Sequence, residues 1–267
     1  MDKMPAWADA ILVPLISILL AAILSALVIL AIGEAPVAAV KLMVTGALGS
    51  SYGWGFTLYY ATNFLFTGLA FAVASHAGLF NIGSEGQAMI GGLGVAIVCL
   101  MIPWPHWALA LPAAILGAAA FGALWALIPG WLQAKRGSHI VITTIMFNFI
   151  AAAVLNYVLV NILRPEGSMD PASAKFPEGA HLPTLHEMLL PLGINFSKAA
   201  PVNVSLLIAL LACVLVWVLI WRTKLGYEIR ALGHSESASR YAGIPPVKIV
   251  VIAMLISGGL AGCMAIN

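Results

Sequence analysis

Polar side chains are rare in this sequence, and the densest group of them lies between two long apolar runs. This segment, Gly78–Gln87, is rich in glycine and includes Asn81 and Glu85. Non-helical backbone at membrane depth is tolerated only where protein or water satisfies it, and membrane carriers often bind their substrates at such breaks. The segment therefore predicts either a broken or re-entrant helix with a binding role, or a tight turn at the membrane surface.

Two further sets of polar residues follow helical spacing inside apolar runs. One set recurs at i, i+3 and i+7 and the other at i and i+4, so each occupies one helix face. Polar groups are costly in hydrocarbon, and we expect both faces to point into a bundle. There they could hydrogen-bond a polar substrate or hold neighbouring helices together. The candidate pathway residues are Tyr60, Asn63, Thr67, Asn81, Glu85, Thr144 and Asn148.

Motifs for several kinds of chemistry are missing from the sequence. It contains neither the G-x-x-x-x-G-K-[ST] pattern of a P-loop nor H-E-x-x-H, and Gly83–Gly86 has the wrong residue order for a nucleophile elbow. Three histidines, His76, His106 and His139, fall at the ends of apolar runs and are predicted to be interfacial. The three cysteines lie in apolar runs without a C-x-x-C pair. We predict no catalytic group, no metal site and no cofactor, and so not an enzyme.

The composition indicates an all-α bundle of transmembrane helices. Hydrophobic residues make up 62% of the chain and charged residues 8%, whereas soluble domains are about 25% charged. The first apolar run is longer than the ~7–15 residues of a signal peptide. We predict one transmembrane domain over residues 1–267, with about seven spans: 10–32, 56–75, 88–102, 107–128, 140–162, 202–221 and 249–266.

The distribution of Lys and Arg predicts the orientation of these spans. With the N-terminus in the cytoplasm, eight of these residues lie inside and four outside, as the positive-inside rule favours. Residues 163–201 then form an external loop, which receives a binding protein or only connects two spans. The pair Thr184 and Glu187 predicts a capped helical turn within it. Pro36–Leu48, also external, is either a short interfacial helix or a plain loop.

The cytoplasmic loop, residues 222–248, predicts one short capped helix over 235–242. Ser235 suits the N-cap and Gly243 the position past the helix end. Ala238 and Tyr241 share a face that could enter a groove on a partner, with arginines at its rim. The candidate coupling residues are Arg230, Ser235, Ala238, Arg240, Tyr241 and Gly243.

Rows of small residues predict close helix packing in two of the spans. One row is Ala118, Gly122 and Ala126, and the other is Gly258 and Gly262. Such rows let helix backbones approach closely in lipid.

Two segments together resemble a known family. Leu79–Gln87 reads Leu-Phe-Asn-Ile-Gly-Ser-Glu-Gly-Gln, and Leu225–Gly233 reads Leu-Gly-Tyr-Glu-Ile-Arg-Ala-Leu-Gly, continuing to Ile244. Both are similar to the permeases of bacterial ABC importers for branched-chain amino acids, ribose and nucleosides. The first segment most resembles the simple-sugar and purine-nucleoside branch, as does Lys135–Asn148.

The resemblance implies a permease subunit in the bacterial inner membrane that moves nucleosides or simple sugars inward. It implies a cytoplasmic ATPase that contacts the 222–248 loop, a second permease subunit and an external substrate-binding lipoprotein; the net charge of +2 suggests no nucleic-acid partner. It also implies further helices after Ser257–Gly262, so a chain ending at Asn267 is expected to be C-terminally truncated.

Other functions remain open on the sequence alone. A branched-chain amino acid permease of the same family is one alternative. A stand-alone channel or secondary carrier is another, but it would not need the capped helix over 235–242. An intramembrane enzyme would need paired catalytic groups at matched depth, which the sequence does not offer.

Overall fold

The computed structural model describes residues 8–267, without the side chains of residues 9 and 10, and it is all-α. The described part begins with one turn of π-helix at Ala8–Leu12. The named helices are α1 Val13–Ile32, α2 Pro36–Leu48, α3 Ser51–His76, α4 Ser84–Met101, α5 Trp107–Arg136, α6 Ile140–Val158, α7 Leu185–Leu189, α8 Ser205–Arg222, α9 Lys224–His234, α10 Glu236–Tyr241 and α11 Pro246–Cys263.

Seven of the helical stretches in the described part are long and apolar enough to cross a membrane. They are α1, α3, α4, α5, α6 with its extension to Leu163, α8, and α11 with its extension to Ile266. The predicted all-α bundle of about seven spans is therefore confirmed. The predicted boundaries differ most at α5, which runs eight residues beyond the predicted end at 128, to Arg136.

The chain divides into two compact units between Trp54 and Gly55. In the first unit α1 ends at Gly33, whose φ of 92° only glycine adopts readily. Pro36 then begins α2, which confirms a helix over Pro36–Leu48. The apolar side chains of both helices are largely exposed, as expected of helices that face lipid.

In the second unit, α5 packs most extensively against α11 and α4. The two predicted rows of small residues meet at the first of these crossings. A Cβ added to Gly122 would strike the backbone of Gly258 and Gly262, so the two helices touch through their main chains. The prediction of close packing at these rows is correct.

One end of this second unit, here called the basic end, is closed by apolar side chains from α3, α6, α9 and α11. Ala74, Ile140, Ile229 and Ile249 belong to the same buried cluster. The Lys and Arg residues near this end are Lys135, Arg136, Arg222, Lys224, Arg230, Arg240 and Lys248.

The opposite end, here called the loop end, joins α4, α5 and α8 to the segment 164–204. Cys99, Ala110, Ala180 and Ala209 share one buried cluster there. The predicted capping box is present: the Thr184 hydroxyl accepts from the Glu187 amide at 3.4 Å, and the Glu187 carboxylate accepts from the Thr184 amide at 3.0 Å. It begins α7.

The segment between α8 and α11 contains two helices, and only the second was predicted. α10 begins after Ser235, whose hydroxyl accepts from the Ala238 amide at 3.3 Å, and it ends before Gly243 at φ 78°. α9 precedes it, capped by Thr223, and buries Gly226, Ile229 and Leu232 on one side.

Candidate functional site

The break between α3 and α4, residues 77–83, enters the bundle instead of turning at its end. The Asn81 amide donates to the Ser257 hydroxyl at 2.9 Å. Ser257 lies eleven residues after Pro246, roughly 16 Å along a helix that rises about 1.5 Å per residue. A hydrocarbon core is about 30 Å thick. The segment thus breaks the helical path inside the bundle, as the first alternative expects, and α4 begins there.

Asn81 organises the interior of this break. Its side chain is 2% exposed, and its carbonyl oxygen accepts from the Gly83 amide at 2.9 Å and from the Gln87 side chain at 3.2 Å. Its amide group also donates to Gln87 at 3.1 Å. Ser257 in turn donates to the Ala70 carbonyl at 2.7 Å. These bonds satisfy loop groups that lie away from water and tie the break to α3 and α11.

Asn148 on α6 holds the other side of the break. Its carbonyl oxygen accepts from the Gly86 amide at 2.9 Å, and its amide donates to the Ile82 carbonyl at 3.0 Å. Thr144, one turn earlier, is fully buried, and its hydroxyl donates to the Ile140 carbonyl at 2.8 Å within its own helix. Of these two residues, Asn148 thus bonds the break itself, while the Thr144 hydroxyl bonds only its own helix.

Beside the break lies a cavity of about 490 Å³ between α3, the first turns of α4 and the residues after α11. Its polar lining residues are Asn63, Thr67, Ser84 and Glu85, and its apolar lining residues are Phe64, Ala88, Met89, Met264 and Ala265.

Some polar groups of these lining residues already form hydrogen bonds within the protein. The Thr67 hydroxyl donates to the Asn63 carbonyl at 3.1 Å, and the Asn63 side-chain oxygen accepts from the Asn267 amide at 2.7 Å. Glu85 forms no ion pair among the residues that the structure describes. Its carboxylate lies in the first turn of α4, where the helix dipole stabilises negative charge.

The seven candidate pathway residues therefore separate into three places. Asn63, Thr67 and Glu85 line the cavity, while Asn81, Thr144 and Asn148 lie around the break. Tyr60 lies on the outer side of α3, 54% exposed, with its ring centre 5.4 Å from that of Tyr59. Sequence reasoning missed Ser84, Gln87, Ser257 and Met264. Of these, Ser84 and Gln87 lie within the polar segment Gly78–Gln87, so its composition could have indicated them.

The candidate coupling residues occupy two different surfaces. On α10, Ala238 is exposed and Tyr241 is 96% exposed, while Arg240 pairs with Glu236 at 2.7 Å. Arg230 instead lies on α9, with its guanidinium 4.5 Å from the ring centre of Trp221.

Residues 53–266 match the family described as branched-chain amino acid transport system / permease component. The chain is 37% identical over 259 residues to a guanosine ABC transporter permease protein of Bacillus subtilis, which covers 95% of this chain and 71% of the relative.

Two other relatives are similar over nearly the same length. A glucose ABC transporter permease protein of Haloferax volcanii is 34% identical, covering 96% of this chain and 67% of the relative. A nucleoside ABC transporter permease protein of Lactococcus lactis is 34% identical, covering 94% and 68%. No solved structure gives a significant match.

Proposed function

Because this chain belongs to the family of branched-chain amino acid transport system permease components, we propose that it is the membrane-spanning subunit of an ATP-binding cassette importer. Its substrates are nucleosides or simple sugars, and ATP is hydrolysed by a separate subunit. The family match over residues 53–266 and the guanosine, glucose and nucleoside permeases among its relatives support this proposal.

The relatives carry the choice of substrate, and the cavity beside the break is large enough to hold such a molecule. Its volume of about 490 Å³ lies within the ~300–1,000 Å³ of small-molecule sites. Its walls are almost entirely apolar, and among its lining residues the exposed Glu85 carboxylate can accept hydrogen bonds from hydroxyl groups or base edges. Met89 and Met264 supply flexible apolar walls for the face of a sugar or base.

The relatives favour nucleosides or simple sugars over the alternative substrate class, branched-chain amino acids, because they are permeases for guanosine, glucose and nucleosides. The capped α10 in turn favours an ATP-driven importer over a stand-alone channel or secondary carrier, which needs no surface for an ATPase.

The proposed orientation puts the basic end in the cytoplasm of a bacterial inner membrane. In the second unit seven Lys and Arg residues lie near the basic end, and three, Arg164, Lys175 and Lys198, lie in the segment at the loop end. The positive-inside rule favours this orientation. With α3 ending in the cytoplasm, alternation of the spans puts the N-terminus on the same side.

The two ends of the bundle then suggest where each proposed partner binds. The cytoplasmic ATPase contacts α10, where Ala238 and Tyr241 supply an exposed face flanked by Arg240. The external binding lipoprotein delivers substrate over the segment 164–204. A second permease subunit completes the pathway across the bilayer.

Uptake by proteoliposomes that contain this permease with its ATPase, second permease and binding protein tests the proposal. Radiolabelled guanosine, glucose and leucine are compared at matched concentrations. We expect ATP-dependent uptake of guanosine or glucose, and a reduction of about tenfold or more by Glu85→Gln if the carboxylate bonds the substrate. Glu34→Gln, which changes an exposed carboxylate between α1 and α2, is the matched control.

Two results would contradict the proposal. Uptake of leucine alone would assign the chain to the amino acid branch. Uptake that persists without ATP would indicate a channel or a secondary carrier. Normal uptake by Glu85→Gln would remove the cavity from the substrate pathway while leaving the importer assignment intact.

A further inference from the structure

A second polar cavity, of about 390 Å³, lies at the basic end, beside the first residues of the break and directly before α10. It is lined by Ser75, His76, Trp221, Arg230, Gly233 and His234. These residues come from the ends of three helices, α3, α8 and α9. The lining contains an arginine and two imidazoles, so the cavity is suited to an anion.

The positive charge of Arg230 has no counter-charge among the residues that the structure describes. Its Nε is buried and has no hydrogen-bond partner. The neighbouring acid on α9, Glu228, pairs with Lys224 at 3.8 Å. A buried donor without a partner is costly, and more so on a charged group. The arginine is positioned by Trp221, since its guanidinium lies 4.5 Å from the ring centre.

His76 is held by a hydrogen bond and by contact with the same indole. Its Nδ1 lies 2.8 Å from the Ala72 carbonyl, and because a carbonyl only accepts, this nitrogen carries the proton. The ring packs edge-on against Trp221 with 5.8 Å between the centroids. A Cβ at Gly233 would strike the His76 carbonyl, so the C-termini of α3 and α9 meet here. Their carbonyls contribute only partial negative charge and do not neutralise Arg230.

The surroundings of the cavity favour a lipid as the source of the anion. Trp221 and Trp217 are each 51% exposed, and the apolar face of α8 continues away from them through Val214 and Leu210, which are also exposed. Tryptophans gather where acyl chains meet head groups, and basic pockets between transmembrane helices bind acidic head groups. A guanidinium matches phosphate through paired hydrogen bonds.

We propose that this cavity binds the phosphate of an acidic membrane phospholipid. The phosphate meets Arg230, with the imidazoles of His76 and His234 beside it, while the acyl chains lie along the exposed face of α8. The bound lipid then joins the ends of α3, α8 and α9, directly before the surface of α10.

The test is native mass spectrometry of the purified chain in detergent, titrated with phosphatidylglycerol and with phosphatidylcholine of the same acyl chains. We expect tighter binding of phosphatidylglycerol, weakened about tenfold or more by Arg230→Gln. The matched control is Arg222→Gln, since Arg222 stacks on Trp217 at 5.3 Å but does not line the cavity. It should leave the binding of phosphatidylglycerol within about twofold of the unaltered chain.

Circular dichroism and gel filtration establish whether Arg230→Gln folds. If it does not, Arg230→Lys and His76→Gln take its place, and each should weaken phosphatidylglycerol while leaving phosphatidylcholine unchanged. Equal affinity for the two lipids, or equal losses in Arg222→Gln and Arg230→Gln, would overturn the proposal. Inorganic phosphate that binds through Arg230 when phosphatidylglycerol does not would also overturn it, because the ligand would then be soluble.

Discussion

Replacing Asn148 by leucine should release the break from α6. The side chain satisfies two main-chain groups of the break, the Gly86 amide at 2.9 Å and the Ile82 carbonyl at 3.0 Å. Leucine has the same branched shape and the same number of side-chain heavy atoms, although it is bulkier, and it leaves both groups without a partner. The change therefore removes the hydrogen bonds while a side chain of the same shape remains.

The cost can be bounded from these two groups. An orphaned buried group costs about 1–3 kcal/mol in soluble proteins, whereas single hydrogen bonds between membrane helices average only about 0.6 kcal/mol. Two groups thus give a destabilisation of about 1–6 kcal/mol in total.

Thermal unfolding of the purified protein measures the stability, and hydrogen exchange over residues 79–87 measures the break itself. We expect Asn148→Leu to lower the melting temperature and to raise exchange at the Gly86 amide in particular. Uptake in the reconstituted importer should fall with it, because the cavity residues Ser84 and Glu85 lose their support.

Asn161→Leu is the matched control. Asn161 lies further along the same helical stretch, is exposed, and donates only to the Tyr157 carbonyl one turn earlier, at 2.9 Å. If both leucine variants show the same hydrogen exchange over residues 79–87 and the same melting temperature, the hydrogen bonds to the break contribute nothing measurable and the reasoning fails.

Three other predictions concern packing, coupling and topology. Gly122→Leu should destabilise the bundle by more than the about 1–3 kcal/mol of ordinary overpacking, because backbone atoms of α11 occupy the space. The control Gly68→Leu, where nothing lies within 4 Å of an added Cβ, should fold normally. Equal melting temperatures of the two variants would refute the prediction. Ala238→Glu should abolish substrate-stimulated ATPase activity in proteoliposomes or release the ATPase while the permease still inserts; unchanged stimulation and copurification would put the coupling surface elsewhere. A cysteine introduced at Lys175 should react with impermeant reagent from outside and one at Ser237 only after permeabilisation, and the reverse pattern would contradict the proposed orientation.

The spans were predictable from the sequence because hydrocarbon imposes length and apolarity on each helix separately. Local signals also sufficed where a cap lies within a few residues of the group that it satisfies. Thr184 with Glu187, and Ser235 with Gly243, predicted α7 and α10 for this reason. α9 was missed because it is short and polar on one side, and only its burial of Ile229 and Leu232 against the bundle makes it a stable element.

The hydrogen bonds around the break could not be predicted from local sequence signals. The spacing of Thr144 and Asn148 predicted a shared face, but not that Asn148 would bond the backbone of Gly86, sixty-two residues earlier in the chain. Nor does any local pattern connect Asn81 with Ser257. Such bonds depend on how helices are arranged in space, and the same polar residues could equally have faced a ligand.

The contact between α5 and α11 has a consequence for movement. Two helices that meet through main-chain atoms at Gly122 and Gly258 are in closer contact than side chains would allow, so we expect the pair to move together as one body. α6 is the least buried span of the second unit, and part of its attachment consists of the two hydrogen bonds of Asn148. In a cycle that alternately opens the two sides of the membrane, α5 and α11 would then keep their relative positions, and α6 would move relative to them.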